Sequence, residues 1–463
     1  MSEETYDDVA DARIRVAIIG SGPAGSYTAG HLLRHTAQEL HVDLYERLPT
    51  PWGLVRAGVA PDHPKIKSVD RIFARTAEHA RLRFYGNVEF GRHVTIDDLR
   101  SHYNAIVYAV GTPVDRTMGI PGEDLDGSYA ATDFVGWYNG HPDYAELEFD
   151  LGGERAIVVG AGNVALDVAR MLMLTHHELA MTDVADHALE VLSASKISEV
   201  LVVGRRGPQQ AAFTNPELLE LGELSAADVV VDAEELALAG GLEDPHVSTT
   251  AVRNAEILRE YAGRPLSGKA RRIGLRFLLS PVRLEGTNSV EGVTLVRNAL
   301  HADTDGSLRA RATGEQLTIA AQAVFRAIGY RGTALPDVPF DEHRAVIANS
   351  GGRVVGPEGV RRGEYVVGWA KRGPSGVIGT NKKDANDTVD RLLEDLGGGR
   401  LLETTPIGDA ALDAFVHERQ PEVVDYAGWA RIDRHEQQLG EPTGRPRIKL
   451  TSVVDMLDVA KPD

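Results

Sequence analysis

The sequence predicts an α/β protein built on two copies of one strand–turn–helix plan. An apolar stretch, Ile14 to Ile19, runs into the glycine-rich turn Gly20 to Gly25. A second, Arg155 to Val159, runs into Gly160 to Asp167. After each turn the continuous apolar run of a buried parallel strand gives way to helical periodicity. The chain has 463 residues, room for two or three domains, and its 43% hydrophobic and 25% charged residues are the balance of a soluble globular protein.

In the first unit Gly20, Gly22 and Gly25 fall in the spacing G-x-G-x-x-G. The first glycine suits the tight turn, the second lets the backbone approach a pyrophosphate, and the third lets the helix pack closely on the strand. The helix N-terminus then aims free N–H groups at the phosphates. HVDLYE follows as a second short strand, ending at Glu46, an acid placed to accept hydrogen bonds from an adenosine ribose. Strand, glycines, helix, strand and acid in this order predict a bound dinucleotide.

The stretch from Arg47 to Lys67 is broken by prolines and glycines and reads as a loop, although it carries Trp52, His63 and basic groups. Ala105 to Thr112 reads as a strand ending in a glycine turn, and Asp115 to Pro142 as an irregular connection between domains. The second unit repeats the fingerprint with Gly160, Gly162 and, in the third place, Ala165. Its helix runs on past Met171, and Glu199 to Gly207 is its next strand. Residues 225–272 have weak helical character. Ala323 to Gly332 is a strand and glycine turn like the one at Gly111, and Glu364 to Leu396 reads as strand, loop and amphipathic helix. The last sixty or so residues are polar and mixed in character.

Composition narrows the function. The chain has no cysteine, which excludes a redox-active disulfide, a thiolate-held iron–sulfur cluster and a thiol nucleophile within it. The formal net charge of −19 argues against nucleic acid, which needs a basic face. No apolar run approaches the length of a membrane span, so membrane insertion is not expected. The acidic stretch MSEETYDDVADAR lacks the apolar core of a secretory signal; a mobile arm and a cytoplasmic location are expected.

Two dinucleotide units in a cysteine-free chain suggest FAD on the first and a nicotinamide nucleotide on the second. Where an NAD-binding unit offers an acid, this chain has Arg205 and Arg206, which suit the 2′-phosphate of NADP(H) through forked, charge-assisted bonds; a solvated surface turn is the plain alternative. His63, between Asp62 and Pro64, is either a hydrogen-bonding bracket or a catalytic group. Glu217 and Glu220 open a helix after Pro216, where acids are favourable in any case. Gly376, Val377 and Ile378 open another helix. Their N–H groups suit the negative charge of a reduced flavin, or form an ordinary loop–helix junction. Lys371-Arg372, Lys382-Lys383 and Lys269 to Arg272 are candidate basic patches or solvated faces.

The blocks GSGPAG, PWGLVRAGVAPDHPKIK, IPGEDL, FVGWYNGHP, GNVALDVAR, VGRRGPQQAAFT and KRGPSGVIGT together resemble the adrenodoxin-reductase type of ferredoxin–NADP+ reductase over residues 14–395. Glutathione-reductase relatives carry a late Gly-Asp; here Gly368 is followed by Trp369, as in the adrenodoxin-reductase group. The resemblance implies two Rossmann-like domains, the FAD domain being discontinuous: 12–114 and 334–400 bind FAD, 115–333 bind NADP, and 401–463 form an extension like that of bacterial members. It implies that Ala24, Glu46, Leu54, Phe90, Trp369 and Gly376 to Ile378 contact FAD. Phe90 stands where the family usually has a smaller apolar residue. Gly162, Asn163, Val164, Arg205, Arg206 and Glu217 are implied to contact NADP(H), and His63 and Glu220 to relay protons near the flavin. The expected activity is hydride transfer from NADPH to FAD and electron transfer to an external ferredoxin. The alternatives are an NADPH-dependent flavin monooxygenase or a general NADPH diaphorase.

Overall fold

The computed structural model describes residues 13–462 apart from 36, 240–246, 305 and 406. The acidic stretch 1–12, expected to be a mobile arm, lies outside the described residues. Ile14–Ile19 is central in a seven-stranded sheet. Leu40–Tyr45 and Leu82–Tyr85 lie on one side of it; Ala105–Tyr108, Gly359–Val366, Arg353–Gly356 and Asn349–Ser350 lie on the other. The pairings from Leu82–Tyr85 through Gly359–Val366 are all parallel. Ile14–Ile19 is buried along nearly its whole length because both faces of the sheet are covered. Val16 and Ile18 pack with Leu32 of the helix Pro23–Leu33 and with Val389 and Leu392 of Ile378–Gly397; Ala17 and Ile19 face Tyr45, Tyr108 and Leu99. Each large apolar side chain so buried contributes roughly 1.5–3 kcal/mol.

The second sheet has six parallel strands, in the order Ser128–Ala130, Ala323–Arg326, Arg155–Val159, Glu199–Val203, Arg271–Arg276, Ala227–Val231. A three-stranded antiparallel sheet, Leu279–Glu285, Gly292–Ala302 and Leu308–Ala320, packs Leu279, Val293 and Leu295 on the face carrying Ile157 and Leu201. Chain crosses between the two parallel sheets at Val114–Asp115 and Tyr330–Arg331, which pair antiparallel.

Several regions differ from their sequence reading. Asp115 to Pro142 is not irregular: it holds the strand Ser128–Ala130 and the helix Ala131–Tyr138, whose Phe134, Trp137 and Tyr138 are buried in the second core. The loop after Glu46 contains two single-turn helices, Leu54–Ala57 and Pro64–Lys67, too short to give a period. The weakly helical 225–272 contains the helix Thr249–Gly263 but also the strands Ala227–Val231 and Arg271–Arg276, where sheet pairing overrides local propensity. The polar carboxy-terminal stretch folds into the helices Asp409–Arg419, Tyr426–Gly440 and Val453–Ala460. Leu412 and Val416 cover one face of the first sheet, and Trp429, Ile432 and Met456 join the core on the other. Between them Val424 pairs with Gly86 at the end of Leu82–Tyr85, so the chain wraps that edge of the sheet. Among the described residues no helix is long and apolar enough to cross a membrane.

Candidate active site

The two glycine turns repeat each other down to their hydrogen bonds. The N–H of Gly20 donates to Tyr45 O at 2.8 Å and that of Gly160 to Val203 O at 2.9 Å. Ala109 donates to Ile19 O and Ala327 to Val159 O, both at 2.8 Å. The first glycine of each turn has positive φ, +105° at Gly20 and +143° at Gly160. A Cβ there would lie 2.6 Å from Ala109 O or 2.2 Å from Ala327 O, so the neighbouring strand turn itself demands glycine. A Cβ on Gly25 would lie 2.0 Å from Gly20 O, whereas in the second unit Ala165 fits, fully buried.

The middle glycines behave differently. A Cβ on Gly162 would meet nothing within 4 Å, and one on Gly22 only Gly53 Cα at 3.9 Å. Nothing in the fold requires glycine at these two places. Each stands at the N-terminus of an eleven-residue helix, and the missing side chain leaves backbone N–H groups open to approach. Two cradles of one form are thus present, each with backbone N–H groups open to an anion.

The residues around each cradle extend the comparison. Glu46 accepts bonds from Ser21 N at 3.0 Å, Ser21 Oγ at 2.6 Å and Leu48 N at 3.2 Å, which fixes its carboxylate over the first turn. Ala24 lies against Gly368; Leu54 opens the single-turn helix Leu54–Ala57, Trp369 opens the helix Trp369–Arg372 and donates its Nε1–H to Ser375 O at 3.2 Å, and Gly376 and Val377 lead into the helix Ile378–Gly397. Leu54 and Val377 remain 43% and 52% exposed, high for large apolar side chains. Phe90 instead packs edge-on against Tyr108, with ring centroids 5.8 Å apart. In the second unit Arg205 and Arg206 follow the strand Glu199–Val203 as Glu46 follows Leu40–Tyr45. Arg205 is exposed, and no acid pairs with its guanidinium among the described residues; Arg206 donates to Gln210 O at 3.4 Å. Asn163 accepts a bond from Thr214 N at 2.8 Å, tying the second cradle to the loop that leads to Glu217, and Val164 packs on the second core.

His63, Glu217 and Glu220 meet where the two halves join. His63 Nε2 lies 2.7 Å from Glu220 Oε2 and 3.7 Å from Glu217 Oε2. His63 is buried, while the Glu220 side chain is 42% exposed, so the pair runs from the interior to solvent. Sequence reasoning missed the centre of this cluster. Arg170, buried on the second-unit helix, reaches Asp62 at 2.6 Å across the junction, Asp167 at 2.8 Å and Glu217 at 3.4 Å. The available signal was an arginine inside the apolar run VARMLM, with Asp167 three residues before it. Burial opposes charge on Arg170, but Asp167 and Asp62 outweigh it and hold the guanidinium charged. Burial likewise opposes ionisation of Asp62, and Arg170 reverses the balance, holding its pKa low. Asp167 and Glu217 go the other way. Burial raises both, and Asp167 pushes Glu217 further, to about 7. His63, Asp167 and Glu217 also bring ligand-type atoms within 4.8 Å of one another, but Arg170 already engages both carboxylates, the chemistry of an ion-paired cluster rather than a cation cage. Nearby, Tyr330 stacks on Trp369 at 5.5 Å.

In two of the candidate basic patches most of the cations are engaged within the fold. Lys371 and Arg372 pair with Asp384 at 3.0 and 3.4 Å, and Lys269 donates to Leu224 O and Ala227 O. Lys382 and Lys383 are exposed.

Residues 14–202 match the family model of the pyridine nucleotide-disulphide oxidoreductases. The chain is 50% identical over 452 residues to NADPH-ferredoxin reductase FprA of Mycobacterium tuberculosis, covering 96% of this chain and 98% of that protein. It is 43% identical over 459 residues to the mitochondrial NADPH:adrenodoxin oxidoreductase of Salvelinus fontinalis, covering 96% and 91%. The solved structure of M. tuberculosis FprA in complex with NADPH superposes with a TM-score of 0.91 at 48% identity, over 97% of this chain and 99% of that one. With its two glycine cradles and no cysteine to serve a disulphide, the chain belongs to the adrenodoxin-reductase type of ferredoxin–NADP+ reductases.

Proposed function

We infer that the chain is an FAD enzyme that takes a hydride from NADPH and passes the electrons singly to a ferredoxin. The observation that carries this reading is the pair of glycine cradles with open middle glycines on either side of one junction. Residues 12–114 and 334–400 would hold FAD, 115–333 NADP(H), and 401–463 form the extension. Gly20, Gly22, Ala24 and Gly25 face the FAD pyrophosphate and Glu46 its ribose. Leu54, Trp369 and Gly376 to Ile378 surround the flavin, whose apolar ring accounts for the exposure of Leu54 and Val377. Phe90 contributes an outer apolar contact. Gly160, Gly162, Asn163 and Val164 take the NADPH pyrophosphate, Arg205 and Arg206 its 2′-phosphate, and Glu217 borders its nicotinamide end.

The bound flavin supplies the change from two-electron to one-electron chemistry. The chain supplies position and a proton path. Oxidising one NADPH and reducing two one-electron carriers releases one proton. The buried His63 hands that proton to Glu220, whose carboxylate reaches water.

The carrier docks on cations that remain unpaired. Lys65, Arg71 and Arg75 follow His63 on the helices Pro64–Lys67 and Asp70–Ala77, exposed beside Ile66 and Ile72, and none has an acid within ion-pair distance among the described residues. On a chain of net charge −19, this patch is what an acidic ferredoxin would recognise. To test the flavin assignment, the purified protein is precipitated with acid: FAD should be released at one per chain. FMN, or pigment that stays attached, would contradict the assignment of the first cradle.

A further inference from the structure

The carboxy-terminal extension does more than cover the first sheet. Between the helices Tyr426–Gly440 and Val453–Ala460 the chain runs into the junction of the two halves and bonds to both. On the second half, Arg445 donates to Thr182 O at 3.2 Å and to Val184 O, and pairs with Asp186 at 2.5 Å. On the first, the buried carboxylate of Glu436 accepts from Arg56 at 2.8 Å, from Arg447 at 3.2 Å and from Leu450 N at 2.9 Å. Arg56 also lies over the Trp429 ring at 5.3 Å.

Lys449 joins the two sides. Its buried ammonium donates to Arg56 O at 3.1 Å and Asn139 Oδ1 at 3.2 Å, and lies 3.1 Å from Asp183. Lys67 donates to the same two acceptors, Asp183 at 2.7 Å and Asn139 at 3.1 Å. One carboxylate therefore sits between two lysines, one from the extension and one from the loop after Glu46, while Asp183 and Asn139 belong to the second half. Arg56 is two residues from Leu54, and Lys67 four from His63.

We propose that Glu436 to Leu450 is a positioning strap for hydride transfer, with Lys449 its central residue, holding the loop that carries Leu54 and His63 against the NADP half. This rests on the reading of the two cradles as FAD and NADPH sites. Burial pulls the Lys449 ammonium well below its ordinary pKa against the pull of Asp183. An ammonium kept at that desolvation cost is more than surface cover. Hydride transfer needs reacting atoms about 3–3.5 Å apart, and a displacement of about 1 Å can cost on the order of a hundredfold in rate. A strap that sets the approach of the two halves therefore acts on rate more than on affinity.

The test uses the FAD-bound enzyme in rapid mixing with NADPH. Lys449→Met should keep FAD and its Kd for NADPH within about threefold, while flavin reduction at saturating NADPH slows by about tenfold or more. If Lys449→Met does not fold, Arg445→Gln decides, because it removes the ion pair with Asp186 and loosens the strap on the second half, where Lys449 still holds, while Trp429, Ile432 and Met456 keep the extension on the first. An FAD-bound variant with unchanged saturating rate overturns the strap, as does loss of FAD in both variants, which would make the extension a general folding element. Wild-type flavin that NADPH does not reduce would instead overturn the reading of the cradles.

Discussion

Arg205 and Arg206 occupy in the second unit the place Glu46 occupies in the first, and on the proposed reading this exchange of acid for base selects NADPH. Replacing Arg205 by Gln removes a charge-assisted bond worth roughly 1.5–3 kcal/mol. kcat/KM for NADPH should fall about ten- to a hundredfold, with NADH nearly unaffected; equal losses with both nucleotides would make the arginine structural. These two residues were legible because the position is set by a repeat. His63, Glu217 and Glu220 were named only through the family resemblance, and their meeting was not legible: 157 positions of chain separate His63 from Glu220, and only folding brings them to 2.7 Å. Arg170, which organises them, was missed because a buried arginine has meaning only through partners that sequence does not place. Glu217 gives a pH test. Its folded pKa of about 7 exceeds its ordinary 4.5, so the folded state binds the extra proton. That contribution to stability is fully present below about 4.5 and is lost as pH rises through about 7. Melting temperatures across this range should fall more steeply with pH in wild type than in Glu217→Gln; parallel curves would show that Glu217 titrates normally.

At the scale of elements, the glycines of a cradle divide into those the fold requires and those it does not. Gly25→Ala would drive a Cβ to 2.0 Å from Gly20 O and should leave little folded protein. Gly162→Ala meets nothing within 4 Å. It should melt like wild type and keep FAD, yet raise KM for NADPH and NADH alike by filling the space of the pyrophosphate. Unchanged KM in Gly162→Ala would place the nucleotide elsewhere. Strands and helices flanking these turns were legible because a continuous apolar run, a glycine turn and a helical period are local signals. The helix Ala131–Tyr138 was not, because Thr132, Asp133 and Gly136 interrupt an otherwise apolar octet. The carboxy-terminal helices were hidden for a different reason. Each buries only a few side chains, such as Leu412 and Val416, and bonds the rest through charge, which reads as surface in a sequence.

For the whole molecule, the docking patch is a question of local against total charge. At 0.15 M salt the Debye length is about 8 Å, so a ferredoxin already near the surface feels Lys65, Arg71 and Arg75 while the net charge of −19 is screened. Ferredoxin reduction should slow as salt rises, and replacing these three by Gln should flatten that dependence while leaving reduction of a small neutral dye intact. Salt that accelerates ferredoxin reduction throughout would show that net repulsion governs. Lys371 and Arg372, prominent in the sequence, are less available to a partner, because they are mostly buried and share Asp384 within the fold.

The central claim is that electrons enter as a pair from NADPH and leave singly to an iron–sulfur carrier. It is tested most directly by anaerobic stoichiometry: a limiting amount of NADPH is added to the enzyme with excess oxidised ferredoxin, and both spectra are followed. Two ferredoxins reduced for each NADPH consumed is the predicted result. NADPH consumed with no ferredoxin reduced, while a small dye is reduced readily, would contradict it.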